Sequence, residues 1–310
     1  MHQDVNSTKE NSSSPHRFIL VPVDFTQESV HALRYARMLA THMGMGITVA
    51  YIHQPLFDAV TDSAFDVDMM NKNRERLEEM MIEVGWGQGK AEKHVPVDTH
   101  FDTGDIKSQL FHLLENDKYE FAVMSTKAED SMIRRVFESV SLKISRSVSK
   151  PVIVVPPGAA VKFPEKIVVG LSEELLHESA LTYILHFVSD HHMTADFIFA
   201  TNDDKQFTYM KDSLNEKLIT LHKEMKGINI KSVPYEGEAI HEAIAGYATK
   251  VHAGLLVLVT KHRNFIEGLG HTSVSKKALL HPDLPVMILH APDDDGLGVM
   301  GQFYDVIKEG

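Results

Sequence analysis

The amino-acid sequence predicts an α/β fold that occurs twice in tandem. Short apolar runs of strand length alternate with longer segments of helical spacing, which is typical of parallel βαβ winding. The same order of segments then recurs in the second half of the chain. The length of 310 residues suits two domains of ordinary size, each able to bury its own core.

The first half opens with a strand, a helix and a second strand. Residues 18–23 form a continuous apolar run, and a helix is predicted from about Gln27 to the glycines Gly44 and Gly46, which end it. The next apolar run, 47–52, is predicted as the second strand. Both strands are apolar enough to be buried on two faces, as the strands of a parallel sheet are.

The remainder of the first half completes the unit. An amphipathic helix is predicted within 55–93, and its methionines are most simply packing residues. A strand is predicted at 95–101, followed by a helix and then by a strand at 121–124. A long loop, a helix and a last apolar run, 151–155, close the unit.

The second half repeats this order of segments. Ile167 opens a strand and lies 148 residues after Ile19, and the run 151–155 recurs as 285–289. A tandem duplication of one α/β unit is therefore predicted. We predict five segments, namely a disordered leader at 1–16, a first domain at 17–157, a linker at 158–164, a second domain at 165–292 and a tail at 293–310.

The composition excludes several classes of function. Lys and Arg number 31 and Asp and Glu number 43, for a net charge of −12, which argues against nucleic acid bound through a broad basic face. The absence of cysteine excludes disulfides, a thiolate nucleophile and a zinc–thiolate site. Residues 1–16 lack the apolar core of a signal peptide, and no run approaches eighteen apolar residues. We therefore expect a cytoplasmic protein with no membrane partner.

Four groups of residues carry a resemblance to a known family. They are 19–24 with Ala32-Leu33-Arg34-Tyr35-Ala36, then Gly104-Asp105, the loop that ends in Ser139-Val140, and the closing run 150–155. Their order and spacing resemble those of a universal stress protein domain, and the resemblance covers nearly the whole of both halves. It implies two tandem doubly wound α/β domains, each with a five-stranded parallel sheet flanked by helices.

The resemblance also implies an adenine nucleotide site, which some members of the family carry at the carboxyl ends of the strands. Asp24 takes the place of the acidic residue near the adenosine, and Ser139 that of the phosphate-side hydroxyl. The loop glycines of the family fall on Ser125, Ala128 and Glu138. The candidate ligand-binding residues are therefore Pro22, Asp24, Ile52, Ser125, Ala128, Glu138, Ser139 and Val140.

The loss of the loop glycines argues against a bound triphosphate. Glycine lets backbone N–H groups approach phosphate oxygens without a Cβ in the way. Glu138 instead places a negative charge where phosphate charge would lie. We therefore expect no bound cofactor, with ATP or AMP as the alternative. Asp24 also has a structural alternative, as a turn or helix-start residue that accepts from backbone N–H groups.

The second half keeps almost nothing of the nucleotide chemistry. Ser172 stands at the position of the acidic residue. Val259, His262 and Thr272 stand where the loop glycines would be, and only Ser273 keeps the hydroxyl position. The resemblance therefore places any nucleotide site in the first domain.

Other catalytic and metal-binding patterns are weak. The 19 histidines include His262 and His271, which share one predicted loop and could converge. No His-x-x-x-His pair with a nearby acid occurs on a predicted helix, so solvated or capping histidines are the simpler interpretation. The sequence also lacks a nucleophile elbow, a paired-carboxylate set and a Walker loop. We therefore expect neither a metal site nor an enzyme.

Two functions stay open. The preferred one is a non-enzymatic stress-response or regulatory protein that acts through an unidentified protein partner or small ligand. The alternative is an adenine nucleotide binder that uses the first domain, with slow hydrolysis. Because single domains of the family commonly pair by their edge strands, we expect the two domains to form an internal pseudo-dimer, and a homodimer of the chain stays open. The junction should include Val152, Val154, Val286 and Ile288.

Overall fold

The computed structural model describes residues 17–53, 63–86, 95–125, 150–171, 176, 178–221, 227–235, 240–260 and 283–290. Within those residues the strands are β1 Phe18–Pro22, β2 Gly46–His53, β3 Val97–Thr103, β4 Tyr119–Ser125, β5 Val152–Val155, β6 Lys166–Gly170, β7 Thr194–Ala200, β8 Ile228–Val233, β9 Leu255–Thr260 and β10 Val286–His290. The helices are α1 Gln27–Met43, α2 Ser63–Glu83, α3 Ile106–Leu114, α4 Glu178–Asp190, α5 Asp204–Leu221 and α6 Ile240–Lys250.

These strands form one continuous sheet in the order β3-β2-β1-β4-β5-β10-β9-β6-β7-β8. Within each half the neighbouring strands are parallel, as their continuous apolar runs predicted. Read from its outer edge towards the centre, each half has the same order of strands. The α/β fold class is therefore confirmed. The two predicted five-stranded sheets are joined edge to edge, which makes one sheet of ten strands.

The last strands of the two halves form the junction. β5 and β10 pair antiparallel, and their register joins Val154 to Val286, Ile153 to Met287 and Val152 to Ile288. All six side chains are buried. The pairing satisfies backbone N–H and C=O groups that each half alone would leave open at a sheet edge. The prediction that these four valine and isoleucine positions lie at the junction is confirmed.

Helices cover both faces of the sheet. α1, α2, α4 and α5 pack on one face, and α3 and α6 pack on the other. Phe187 of α4 meets Phe121 of β4 edge to face, with 6.2 Å between the ring centroids. Because α4 belongs to the second half and β4 to the first, the core on this face is shared by both halves.

Local signals set the helix ends. The Thr26 side chain accepts from the Ser29 N–H at the start of α1, and Gly44 ends the helix at φ 69°. Asp105 caps α3 by accepting from the Ser108 N–H at 2.9 Å. The strand predicted at 95–101 is shifted, since β3 runs from Val97 to Thr103.

Several predicted segments lie outside the described residues, namely the leader, the tail and the loop and helix between 126 and 149. The predicted linker is described, and its Phe163 ring stacks on His42 of α1 with 4.7 Å between the centroids. The exact domain boundaries stay a prediction. No helix in the described part of the chain is long and apolar enough to cross a membrane.

Candidate functional site

The strand order reverses between β1 and β4, and the carboxyl ends of these strands form the candidate site. β1 leads to β2 on one side of this point, while β4 pairs with β5 on the other. Open α/β sheets bind ligands at such a point. Pro22 ends β1, Ser125 ends β4 and Ile52 lies next to the end of β2, so the fold brings them with Asp24 to one edge.

The other predicted loop residues, Ala128, Glu138, Ser139 and Val140, lie outside the described residues. Their predicted role at a phosphate therefore stays a prediction. The candidates that the structure does place are Pro22, Asp24, Ile52 and Ser125.

Asp24 takes part in the turn that starts α1. Its Oδ1 accepts from the Thr26 N–H at 3.1 Å and from the Thr26 hydroxyl. The Thr26 Oγ1 in turn accepts from the Ser29 N–H at 3.3 Å, which caps the helix. The structural interpretation of Asp24 is therefore confirmed, while contact with a ligand stays a prediction.

An aromatic row crosses the sheet beside Asp24. The Phe25 and Tyr51 rings lie 4.5 Å apart between centroids, and the Tyr51 and Phe101 rings lie 5.1 Å apart. Phe25 holds its ring there from a backbone φ of 61°, a conformation that costs a residue with a Cβ of order 1–2 kcal/mol. The surrounding contacts must offset that strain.

Two arginines of α2 close the row at its ends. The Arg76 guanidinium lies over the Phe25 ring at 4.2 Å, and the Arg74 guanidinium lies over the Phe101 ring at 5.6 Å. We call Arg76, Phe25, Tyr51, Phe101 and Arg74 the arginine–aromatic ladder. Both arginines are exposed, and the three rings are half-buried.

The Tyr51 hydroxyl locates the ladder relative to the candidate site. Burial raises the pKa of Tyr51, the Arg76 guanidinium opposes that rise, and the Asp24 carboxylate adds to it. The hydroxyl is therefore within electrostatic reach of both charges. The sequence predicts an amphipathic helix within 55–93, but the contacts of Arg74 and Arg76 with aromatic rings appear only in the structure.

In the second half, hydrogen bonds join the chain segments that follow β7 and β8, the counterparts of β2 and β3. The Asn202 amide donates to the Tyr235 carbonyl at 2.6 Å and accepts from the Tyr235 N–H at 3.1 Å. Val259, a predicted loop position, is instead a buried residue of β9. The other predicted positions in this half, Ser172, His262, Thr272 and Ser273, lie outside the described residues.

A buried carboxylate lies in the second half, away from the candidate site. Asp196 of β7 is 0% exposed. Its oxygens accept from Tyr247 at 2.7 Å, Asn229 at 2.8 Å, Lys166 at 3.0 Å and Lys231 at 3.1 Å. Burial by itself raises the pKa of this carboxyl, but the four hydrogen bonds together hold it well below its usual range. This cluster was not predicted.

A cavity of about 260 Å³ lies beside the linker, at the starts of β6, β9 and β10. Its lining includes the linker residue Lys162, Lys166 at the start of β6, and Asp283. Among the residues that the structure describes, no group of three or more His, Asp or Glu side chains could hold a metal ion. His262 and His271, the suggested metal pair, are not among those residues.

Comparison with known proteins identifies the first half. Residues 16–156 match the family model described as the Universal stress protein family, so this half contains a domain of that family. The match ends at residue 156, and no family match confirms a second such domain. Among curated proteins, none matches the sequence.

Solved structures show a similar fold over both halves. A universal stress protein from Archaeoglobus fulgidus DSM 4304 has a TM-score of 0.65 and 16% identity, covering 91% of this chain and 98% of that one. The cytoplasmic domain of a prokaryotic cation chloride cotransporter has a TM-score of 0.52 and 9% identity, covering 93% of this chain and 99% of that one. The functionally unknown protein PA1789 from Pseudomonas aeruginosa PAO1 has a TM-score of 0.50 and 13% identity, covering 95% of this chain and 98% of that one. At these identities the similarity shows the fold alone.

Proposed function

We propose that this chain is a tandem universal stress protein that acts as a non-enzymatic stress-response or regulatory protein through a small ligand or a protein partner. The family match of the first half supports the stress-response assignment. The equal strand order of the two halves, and the antiparallel pairing of β5 with β10, support an internal pseudo-dimer of related domains. One shared sheet connects the backbones of the two halves of this pseudo-dimer.

The observation that carries the proposal is the difference between the two carboxyl edges. The first half gathers Asp24, Ile52 and Ser125 beside the arginine–aromatic ladder. In the second half, Phe199 takes the place of Tyr51, and Asn202 and Tyr235 bond to each other after β7 and β8. We therefore assign ligand binding to the first half and a supporting role to the second.

The second candidate function is adenine nucleotide binding in the first half, with ATP or AMP as ligand and slow hydrolysis. The survival of Asp24 and Ser139 at the two ends of the presumed site favours it. The serine, alanine and glutamate that replace the loop glycines favour a ligand that does not depend on that loop for a triphosphate.

Mass spectrometry of small molecules released from the purified full-length protein tests whether a ligand is bound. Calorimetry with adenosine and AMP then compares Asp24→Asn with Asp203→Asn, a turn residue of the second half that accepts from the Lys205 N–H at 2.8 Å. Asparagine keeps an oxygen for the turn and removes only the charge. Weaker binding by Asp24→Asn alone supports the proposal. Failure of both adenosine and AMP to bind, or equal effects of the two variants, contradicts the assignment of ligand binding to the first half.

A further inference from the structure

The two arginines of the arginine–aromatic ladder differ from other arginines of the first half. Arg34 of α1 pairs with Glu83 at 2.7 Å. Within the described part of the chain, by contrast, neither Arg74 nor Arg76 forms an ion pair or a hydrogen bond, and each contacts an aromatic ring instead. In a chain with a net charge of −12, carboxylates are the more abundant charged partners. Two exposed arginines that pair with no carboxylate among the described residues are therefore a feature that packing alone does not explain.

Stacking prepares a guanidinium to bind an anion. A ring below the guanidinium plane fixes its orientation and leaves the in-plane N–H donors open to a bidentate partner such as phosphate. The Phe25 ring below Arg76 is itself held by Tyr51 and by its own backbone at φ 61°. The donors of Arg76 are thus oriented before any ligand arrives, which lowers the entropy that binding must overcome.

We propose that Arg76, assisted by Arg74, binds the phosphate of a nucleoside monophosphate at the carboxyl edge of the first half, and that this half discriminates against triphosphates. The inference rests on the proposed function, which places the ligand at this edge. Phe25 links the two parts, because it follows Asp24 in the chain and its ring lies under Arg76 and against Tyr51. One guanidinium matches one phosphate group, whereas a triphosphate favours a glycine loop, and this sequence has serine, alanine and glutamate at positions 125, 128 and 138.

The second half does not repeat this arrangement. Tyr51 has Phe199 as its counterpart 148 residues later, so the hydroxyl is lost. Arg263 is the only arginine between 165 and 292, and it lies outside the described residues. The ladder is therefore a property of the first half, as the proposed assignment of ligand binding requires.

Calorimetry of the full-length protein with adenosine, AMP and ATP tests the inference. We expect AMP to bind about tenfold or more tightly than adenosine, because the charge-assisted hydrogen bonds to phosphate are absent for the nucleoside. Arg76→Gln should remove that advantage and leave adenosine binding within about twofold. Arg76→Lys, which keeps the charge and loses the planar fork, should restore only part of it. Arg74→Gln should have a smaller effect, and Arg34→Gln is the matched control for loss of one positive charge.

Every other outcome contradicts one part of the proposal. Equal affinity for adenosine and AMP leaves the proposed function standing and overturns the phosphate assignment. Equal loss of both ligands in Arg76→Gln means that the ladder only packs the site. Tighter binding of ATP than of AMP overturns the discrimination against triphosphates. Failure of all three ligands to bind overturns the adenine-type ligand and the inference together.

Discussion

Ile153 of β5 lies directly opposite Met287 of β10, at the centre of the ten-stranded sheet. Met287 is also the counterpart of Ile153 in the duplicated sequence, because 285–289 repeats 151–155. A residue that pairs with its own repeat marks a local two-fold axis, the relationship expected of two equal surfaces that meet. Both side chains are 0% exposed, so the axis runs through the shared core.

Ile153→Ala should therefore destabilise both halves together. Removal of a buried isoleucine side chain to the Cβ costs about 2–5 kcal/mol of unfolding free energy. We expect one cooperative transition in chemical denaturation, shifted to lower denaturant in the variant. The matched control is Ile82→Ala on α2, where the side chain is 55% exposed and the change should stay within about 0.5 kcal/mol. Two separate transitions, with only one of them shifted, would contradict a shared core.

Asp196→Asn should lower the free energy of unfolding and make that free energy less dependent on pH in the acid range. The variant leaves two partly exposed lysines and a tyrosine around a neutral amide, and loss of the charge from this hydrogen-bonded cluster costs about 1–3 kcal/mol. Because the folded pKa of Asp196 lies below its unfolded value near 4, the stabilisation is present above that pH and is lost as pH falls below it. Denaturation between pH 3 and 7 checks this. Asp98→Asn, which breaks the exposed pair with Lys118, should cost less than about 1 kcal/mol and serves as the control.

The sequence was sufficient for the elements and for the junction, and the reason is physical. Buried parallel strands must be continuously apolar, and the edge strand of such a sheet must be paired or covered. The first requirement placed β1, β2, β4 and β5, and the contact of β5 with β10 followed from the resemblance to a family whose domains pair by their edge strands. Strand ends such as those of β3 depend on register with a neighbour, here Ile47 opposite Val97, which a single segment does not encode.

The side-chain clusters could not be predicted for a different reason. Asp196, Lys231 and Tyr247 come from two strands and a helix, and only the sheet register makes them neighbours. The same holds for Arg76 over Phe25, which lie 51 residues apart in the chain. The candidate residues that were predicted, such as Asp24, carry their signal within one short segment. That segment also serves to start α1, so it cannot by itself distinguish a cap from a ligand contact.

His191 should make stability fall as pH falls below about 6.5. Burial lowers the pKa of this histidine, Asp190 opposes that effect, and Arg17 and His192 add to it. The neutral form of His191 is thus favoured in the folded protein. The free energy of unfolding is therefore highest above the pKa of the unfolded state and decreases as pH falls from that pKa through the pKa of the folded state. His191→Gln should reduce the loss of thermal stability between pH 7.5 and pH 5.5. The exposed His112 provides the comparison variant His112→Gln, which removes a histidine from the surface.

The wild-type protein should bind ATP weakly. None of the loop positions Ser125, Ala128 and Glu138, or their counterparts in the second half, is glycine. The expected dissociation constant for ATP with Mg²⁺ lies above about 10 µM, near −7 kcal/mol, by calorimetry. Tighter binding would mean that the glycines matter less than their role at phosphates suggests.

Restoring the glycines should raise ATP affinity in the first half. Ser125→Gly, Ala128→Gly and Glu138→Gly together remove three side chains and one carboxylate from the presumed phosphate path, while Asp24 and Ser139 already stand at its ends. Removal of the like charge contributes on the order of 1 kcal/mol at surface-like dielectric, and newly accessible N–H groups contribute similar amounts. Three glycines also loosen the unfolded chain, so the variant should lose some stability.

The matched variant in the second half is Val259→Gly, His262→Gly and Thr272→Gly, and it should gain less. Ser172 cannot supply the charge that Asp24 supplies, and Val259 is a buried strand residue whose loss weakens β9 instead of opening a loop. Both variants are titrated with ATP after circular dichroism shows that each is folded. Because Asp24 already bonds to Thr26, equal gains in the two halves would mean that its carboxylate serves only the start of α1. A gain confined to the first half would instead assign the same carboxylate two roles, one in the helix cap and one toward the nucleotide.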